Sequence, residues 1–252
     1  MTPGTAALLA AAGLVAGTVN AVAGGGSLIS FPALLAAGYP SVTANVTNTV
    51  ALFPGYAGSV IGGRPELQGQ GRRIRSVAVT SVVGAVLGSV LLLTTPGDVF
   101  AQVVPYLILL ACLLLLLQPR LSRAVQARQE PGSGGPPVLL QVGVLLASVY
   151  GAYFGAGLGV MLLGILGVLL HERLQRVNAL KNVLSLVINA VALLAFAAFG
   201  PVAWDAVLVI ALASLLGGYS GARVARRIPA PVLRATVVVY GVLVAVVLLV
   251  RQ

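Results

Sequence analysis

Two glycine-rich stretches interrupt the apolar runs of this chain, Gly17-Thr-Val-Asn-Ala-Val-Ala-Gly-Gly-Gly-Ser27 and Gly151-Ala-Tyr-Phe-Gly-Ala-Gly-Leu-Gly159. They begin 134 positions apart, and the same offset, without a gap, aligns Leu28 with Leu162, Asn48 with Asn182, Leu52 with Leu186 and Gly84 with Gly218. This similarity indicates an internal duplication. A hydrophobic segment that glycine breaks in both copies is typical of a transporter whose substrate site lies where the two halves meet.

The composition indicates that the chain is embedded in a lipid bilayer. Hydrophobic residues make up 59% of its 252 residues and charged residues only 8%, whereas soluble domains carry about 25% charged residues. The mean hydropathy is +1.05. Polar groups this scarce could not cover the surface of a soluble fold, so we predict an all-α polytopic membrane protein.

Apolar segments recur along the whole chain, and two of them are too short to cross a membrane. These two, 28–38 and 158–170, each follow a glycine break. A helix of 11 residues is about 16 Å long, about half of the hydrocarbon thickness. We therefore predict two half-helices that fold back as hairpins. The full-length segments are 5–23, 41–62, 76–95, 99–117, 138–155, 177–199, 203–222 and 231–250.

The loop charges assign each loop to one side of the membrane. Loops 64–75, 171–176 and 223–230 are basic and should remain in the cytoplasm, whereas 96–98 and 200–205 carry only an acid. Loops at equivalent positions of the two copies are thereby placed on opposite sides. This pattern predicts two inverted repeats, each a glycine-broken helical hairpin followed by three transmembrane helices.

The predicted organisation has three parts. Residues 1–117 form the first membrane repeat and 138–252 the second. The hydrophilic segment 118–137, rich in arginine, proline and glycine, is a cytoplasmic linker to which we assign no fixed structure. Both chain termini are expected outside, and the first hairpin is the least constrained part of this topology.

The glycine breaks are candidate anion sites, because a helix that resumes inside the membrane presents free N–H groups and the positive end of its dipole. The alternative is a packing bend without a ligand. Other glycines, Gly84 with Gly88 and Gly217 with Gly218, instead predict close helix packing. The candidate substrate-binding glycines and serine are Gly24, Gly25, Gly26, Ser27, Gly155, Gly157 and Gly159.

Polar side chains cluster in segments that should otherwise be apolar, and polar groups in hydrocarbon are expected to face the protein interior. Asn48 and Asn182 occupy the same repeat position, and Thr47 aligns with Lys181. Substrate contact and simple interhelical hydrogen bonding both explain such residues, and Lys181 has the further alternative of extending to the cytoplasmic surface. The polar candidates for substrate binding are Asn20, Asn45, Asn48, Thr49, Asn178, Lys181 and Asn182.

The acidic residues exclude several classes of function. All five, Glu66, Asp98, Glu130, Glu172 and Asp205, lie in loops or at segment edges, whereas a cation pump keeps a carboxylate within its spans. The sequence offers no catalytic constellation and no metal cluster, so we expect neither an enzyme nor a cofactor. The net charge of +10 is spread over short loops instead of one patch, which argues against nucleic-acid binding.

At these motifs the chain resembles a known family. Ala23-Gly-Gly-Gly-Ser-Leu-Ile-Ser-Phe-Pro32, Gly38-Tyr-Pro40 and Thr43-Ala-Asn-Val-Thr-Asn48 look like the N-terminal signature of the sulfite exporter TauE/SafE family, also called the TSUP permeases. Phe154-Gly-Ala-Gly-Leu-Gly159 and Asn178-Ala-Leu-Lys-Asn182 resemble its repeated motif. The second copy is degenerate, with Leu158 and Leu166 where a fuller glycine triplet and a proline would stand.

The resemblance implies a bacterial inner-membrane permease for small anions such as sulfite, sulfonates or other sulfur-containing and organic anions. We expect the anion to be held at half-helix N-termini near the repeat interface and moved by alternating access. An anion channel with the same filter and a non-transporting membrane scaffold are the alternatives. The expected partners are a small anionic substrate and the lipid bilayer, with a homodimer left open.

Overall fold

The computed structural model describes residues 1–22, 25–62, 64–127, 137–170, 172–224 and 230–250. Within these residues the regular elements are all helical. They are ten α-helices and one 3₁₀ turn, Arg64–Leu67. The α-helices are α1 (Pro3–Val22), α2 (Ser27–Ala36), α3 (Ser41–Gly62), α4 (Gly71–Thr94), α5 (Gly97–Ala127), α6 (Pro137–Tyr153), α7 (Leu158–Leu169), α8 (Leu174–Phe199), α9 (Trp204–Val224) and α10 (Ala230–Val250).

Each predicted apolar segment corresponds to one of these helices, with one clear difference. The prediction of no fixed structure is wrong for residues 118–127, which continue α5 to Ala127. Seven of these ten residues are Leu, Arg, Ala or Gln, which are strong helix formers, and the helix continues through Pro119. Residues 128–136 of the linker lie outside the described residues, and the repeat boundaries at 117 and 138 stay predictions.

Helices α2 and α7 are the predicted half-helices. They contain 10 and 12 residues, lengths of about 15 and 18 Å that cover about half of a bilayer core. Each packs against the helix before its glycine break, α2 on α1 and α7 on α6. Both pairs are therefore hairpins, as expected from the sequence.

The outer surface of the described helices is apolar. Val79, Leu146, Leu208 and Leu212 are large aliphatic side chains that are each more than 60% exposed, an arrangement that a bilayer solvates and water does not. By length and composition, α1, α4, α5 and α8 each contain a stretch able to cross a membrane within the described residues. The chain is a multi-pass membrane protein.

The helix contacts follow a twofold pattern. Helix α1 packs on α9 as α6 packs on α4, and α3 packs on α9 as α8 packs on α4. Helix α7 contacts α5 as α2 contacts α10. Helix α3 packs against its own equivalent, α8, and α5 packs against its own equivalent, α10. Exchanging α1–α5 for α6–α10 therefore leaves this pattern unchanged.

The equivalent helices α3 and α8 run in opposite directions. Near the start of α3, Thr47 Oγ1 accepts a hydrogen bond of 3.0 Å from the N–H of Ala203, which follows the end of α8. Beyond the end of α3, Gln70 Nε2 lies 3.5 Å from the carbonyl oxygen of Arg176, in the first turn of α8. The start of α3 thus lies near the end of α8, and the chain beyond the end of α3 lies near the start of α8.

Glycines allow the closest helix crossings. A Cβ atom on Gly88 would overlap the carbonyl oxygen of Val149, and one on Gly217 would overlap that of Leu14. A Cβ on Gly84 would lie 2.7 Å from the carbonyl oxygen of Leu145. These contacts agree with the packing role predicted for these glycines.

Candidate functional site

A cavity of about 440 Å³ lies between the two halves, where the glycine breaks meet the long helices. Gln118 of α5, Lys181 of α8 and Gly218 of α9 lie toward the helix ends that adjoin the arginine-rich segments 118–137, 171–176 and 223–230. We call this side of the molecule the basic-loop end. The lining residues are Gly17, Asn20, Gly25, Ser27, Leu52, Pro54, Gly55, Tyr56, Gln118, Gly155, Gly157, Leu158, Gly159, Val160, Lys181, Asn182, Ser185, Ser214, Leu215 and Gly218.

The second glycine break forms a tight turn that only glycine adopts easily. Gly155 and Gly157 have φ angles of +80° and +78°, in the left-handed region. The turn is braced by Tyr150, whose carbonyl oxygen accepts the N–H of Gly155 and whose Oη donates to the carbonyl oxygen of Ala156 at 2.6 Å. The backbone conformation of this turn therefore requires glycine at positions 155 and 157. The same two glycines also line the cavity.

The N-terminus of α7 presents free backbone donors to the cavity. The N–H groups of Leu158 and Val160 are bonded to the carbonyl oxygens of Gly155 and Gly157. The N–H groups of Gly157 and Gly159, which both line the cavity, have no hydrogen-bond partner among the described residues. Two donors and the positive end of the helix dipole are thus available to an anion.

Lys181 brings a positive charge to the same place. Its Nζ lies 4.0 Å from the position that a Cβ on Gly159 would occupy. Lys181 lines the cavity, and it makes no ion pair or hydrogen bond with any described residue. Among the lining residues it is the one charged side chain. A charge with no partner in a confined polar site favours a negatively charged ligand.

The first glycine break differs, because a side chain already occupies its donors. Asn20 Oδ1 accepts hydrogen bonds from the N–H groups of Gly25 at 3.1 Å and Gly26 at 2.8 Å. Asn20 also lines the cavity, and its Nδ2 has no partner among the described residues. The first half therefore offers an anion the Asn20 amide and the Ser27 hydroxyl in place of the two glycine N–H groups.

Polar groups of α8 and α9 complete the wall. Asn182 and Ser185 lie on α8 within about one turn of Lys181, and Ser214 on α9 donates its hydroxyl to the carbonyl oxygen of Ala211 at 3.0 Å. The side chains of Asn182 and Ser185 have no hydrogen-bond partner among the described residues. With Lys181 they form a row of donors along one helix face.

The structure brings eight of the predicted site residues to the cavity: Asn20, Gly25, Ser27, Gly155, Gly157, Gly159, Lys181 and Asn182. Gly24 lies outside the described residues. Gly26 and Asn178 do not line the cavity. The position of a Cβ on Gly26 is filled by the Ala16 carbonyl oxygen and the Asn20 side chain, so this glycine serves the packing of the break.

Three predicted site residues on α3 do not line the cavity. They are buried and form hydrogen bonds within the protein. Asn48 Oδ1 accepts a hydrogen bond from Ser30 Oγ of α2, and Asn45 Nδ2 donates to the carbonyl oxygen of Tyr153 at 2.8 Å. Thr49 Oγ1 donates to the carbonyl oxygen of Asn45 at 3.0 Å. The Asn45 and Asn48 contacts match the interhelical alternative, in which the polar groups hold both hairpins against α3, whereas the Thr49 hydrogen bond stays within α3.

Sequence reasoning missed several polar lining residues. Ser185 follows Lys181 by about one turn on the same face, which is a signal that helical spacing alone could have supplied. Gln118 is the polar residue that ends the leucine run 113–117. Tyr56 and Ser214 carry no such signal, because single hydroxyl residues are common in membrane helices.

Buried aromatic side chains pack in two pairs between the helices. Phe31 of α2 meets Phe154 edge to face, with ring centroids 5.5 Å apart, and Phe100 meets Tyr153 in the same way at 5.5 Å. Phe100 lies in the first turn of α5, whereas Gln118, which lines the cavity, lies toward the other end of that helix. Phe31, Phe100 and Phe154 are each at most 3% exposed, so these rings are packed inside the protein.

The comparisons with known proteins place the chain in one family. The family described as sulfite exporter TauE/SafE matches residues 9–248. The chain is 30% identical to the probable membrane transporter protein ORF9 of Sinorhizobium sp over 96% of its length and 92% of the relative's. It is 29% identical to the probable membrane transporter protein YfcA of Escherichia coli strain K12, over 83% of the chain and 77% of the relative.

A third relative gives the same result. The chain is 29% identical to a probable membrane transporter protein of Haemophilus influenzae, over 86% of its own length and 84% of the relative's. No solved structure matches it. The family and these names indicate a membrane transporter and not an enzyme, and the bacterial relatives are consistent with the inner membrane. The chain belongs to the TauE/SafE sulfite exporter family.

Proposed function

We propose that the protein is a permease for a small anion, which binds between the α7 N-terminus and Lys181. The observation that carries this proposal is the position of the Lys181 ammonium, unpaired, beside the free N–H groups of Gly157 and Gly159. Both groups favour negative charge, and no acidic side chain lines the cavity. A cation at this point would meet the Lys181 charge with nothing to offset it.

The chemistry of the donors favours an oxyanion. Backbone N–H groups, the Asn20 and Asn182 amides and the Lys181 ammonium all donate hydrogen bonds, and they converge on one cavity from several directions. A tetrahedral or pyramidal oxyanion has several acceptor oxygens that can use such donors at once. A cavity of about 440 Å³ also leaves room for an organic substituent. Sulfite and small sulfonates are therefore the substrates that we propose first.

We further propose that transport proceeds by alternating access between two inverted repeats. The twofold contact pattern and the opposite directions of α3 and α8 support the inverted arrangement. The cavity lies toward the basic-loop end, and the buried Phe100 packs against Tyr153 at the other end of α5, which supports an inward-facing state. Rocking of one repeat against the other would open the Phe100 end and close the basic-loop end.

Purified protein in proteoliposomes would test this function. Lys181→Gln should reduce saturable sulfite or sulfonate uptake at least tenfold, whereas Lys181→Arg, which keeps the charge, should retain part of it. Arg75→Gln, on the exposed surface of α4, is the control and should transport normally. Full activity of Lys181→Gln would overturn the proposed site. Flux that never saturates and shows no counter-transport would indicate a channel instead.

A further inference from the structure

A second cavity, of about 450 Å³, lies at the basic-loop end between α4, α6 and α8. It is separate from the transport cavity and shares no lining residue with it. Arg72 and Arg73 of α4 line it together with Arg176 of α8, and the one acidic lining residue is Glu172. This concentration of arginine in a pocket between membrane helices is not needed for the transport site described above.

The charges in this arginine pocket do not cancel. Glu172 pairs with both Arg73 Nη1 and Arg176 Nε, each at 3.0 Å. One carboxylate thus offsets two guanidinium groups. Arg72 is exposed and makes no ion pair with any described residue. The pocket therefore keeps an excess of positive charge and has a guanidinium free for an anionic group.

Two helix N-termini add to this positive potential. Helix α4 begins at Gly71 and α8 at Leu174, so Arg72, Arg73 and Arg176 all lie in first turns, and neither first turn contains an acid. Cations at a helix N-terminus are electrostatically unfavourable, whereas an anion there is stabilised by the same dipole. The arrangement is therefore one that a bound anion would relieve.

The surroundings of the pocket are those of the membrane interface. Ser76 and Gln141 line it and are joined by a hydrogen bond of 2.7 Å between Gln141 Nε2 and Ser76 Oγ. Within about one helical turn of these residues, Val79 on α4 and Val142 on α6 are 66% and 45% exposed. A ligand with a phosphate group in the pocket would have apolar helix surface directly beside it.

We propose that the arginine pocket binds the phosphate headgroup of an anionic phospholipid of the basic-loop leaflet, with the acyl chains lying on the exposed faces of α4 and α6. Arginine forms bidentate hydrogen bonds with phosphate, and basic pockets between membrane helices are suited to such headgroups. Inorganic phosphate shares the headgroup chemistry, but it would leave the adjoining apolar surface without a ligand.

Lipid-dependent thermal stability in detergent tests this site. Phosphatidylglycerol should raise the melting temperature of the wild-type protein by several degrees, and phosphatidylcholine and inorganic phosphate should not. Arg72→Gln should lose at least half of the phosphatidylglycerol shift. Arg75→Gln, whose arginine is exposed on the same helix but does not line the pocket, should keep it.

A second variant separates electrostatics from structural damage. Glu172→Gln removes the one carboxylate of the pocket, so the phosphatidylglycerol shift should increase even if the lipid-free protein melts at a lower temperature. An unchanged shift in both Arg72→Gln and Glu172→Gln would overturn the proposal. An equal shift with inorganic phosphate would show a soluble-anion site instead, and an equal shift with phosphatidylcholine would show unspecific lipid binding.

Discussion

At the scale of single residues, Asn20 determines how the two glycine breaks differ. Its Oδ1 accepts the N–H groups of Gly25 and Gly26, whereas Gly157 and Gly159 keep theirs free among the described residues. The side chain acts as a fixed acceptor inside the protein, and its Nδ2 remains for a ligand. A change from amide to carboxylate at this position would keep the acceptor and add a negative charge.

We therefore expect Asn20→Asp to fold normally and to lose transport. The carboxylate can accept the same two N–H groups, so the melting temperature should stay close to that of the wild type. Its charge would repel the substrate and compete for Lys181, so sulfite uptake should fall at least tenfold. Asn20→Ser, which adds no charge, is the control. Normal transport by Asn20→Asp would show that the anion does not approach this residue.

Asn48→Ala tests the opposite expectation for a buried hydrogen bond away from the cavity. The substitution removes one acceptor of the Ser30 hydroxyl, which keeps the Gly26 carbonyl oxygen at 3.2 Å, so the loss of this hydrogen bond should cost about 0.5–1.5 kcal/mol of stability. The half-saturating substrate concentration of the remaining folded protein should not change. A large rise in the half-saturating concentration, with the melting temperature unaltered, would instead indicate that Asn48 contacts the substrate.

At the scale of elements, the sequence predicts the helices well, but it predicts their neighbours only in part. The half-helices α2 and α7 can be predicted because glycine breaks and segment length are local properties of the sequence. The hydrogen bond from Ser30 to Asn48 cannot be predicted, because it depends on how α2 packs against α3. The same reason explains why the sequence alone leaves Asn45, Asn48 and Thr49 as candidates for substrate contact: polarity predicts an inward-facing side chain but does not specify its partner.

The close crossing of α4 and α6 gives an element-scale prediction. Gly88→Ala would place a methyl group against the carbonyl oxygen of Val149, and such overpacking costs about 1–3 kcal/mol. The melting temperature should fall by several degrees. Gly4→Ala is a matched control on α1, because nothing lies within 4 Å of its Cβ position. Equal stability of the two variants would mean that α4 and α6 do not pack this closely.

At the scale of the whole molecule, the cavity lies nearer the basic loops, and the buried Phe100 lies at the opposite end of α5 from Gln118 of the cavity wall. The repeat offset and the loop charges anticipated two opposed halves. The aromatic contacts could not be anticipated, since Phe31 with Phe154 and Phe100 with Tyr153 lie far apart in the sequence and meet only in the fold. The alternating access that we propose would make the two sides of the cavity differ in accessibility.

Cysteine labelling would measure from which side of the membrane the cavity is accessible. Cys112 is the single cysteine and is buried, so Cys112→Ser provides a background for Ser185→Cys in the cavity. A membrane-impermeant maleimide should label Ser185→Cys from the basic-loop side, and saturating substrate should slow that labelling. Asn45→Cys, at a position that is 1% exposed and does not line the cavity, is the control and should remain unlabelled. Equal labelling from both sides would indicate a continuous pore.

The position of Asn20 has an evolutionary consequence. At the repeat offset its equivalent is Phe154, which packs against Phe31. On the internal duplication that we infer from the sequence, one ancestral position thus came to accept hydrogen bonds at a glycine break in one copy and to fill an aromatic contact in the other. A chimaera with two first copies would lack the Phe154 ring, and one with two second copies would lack the Asn20 side chain. We therefore expect that neither copy can replace the other.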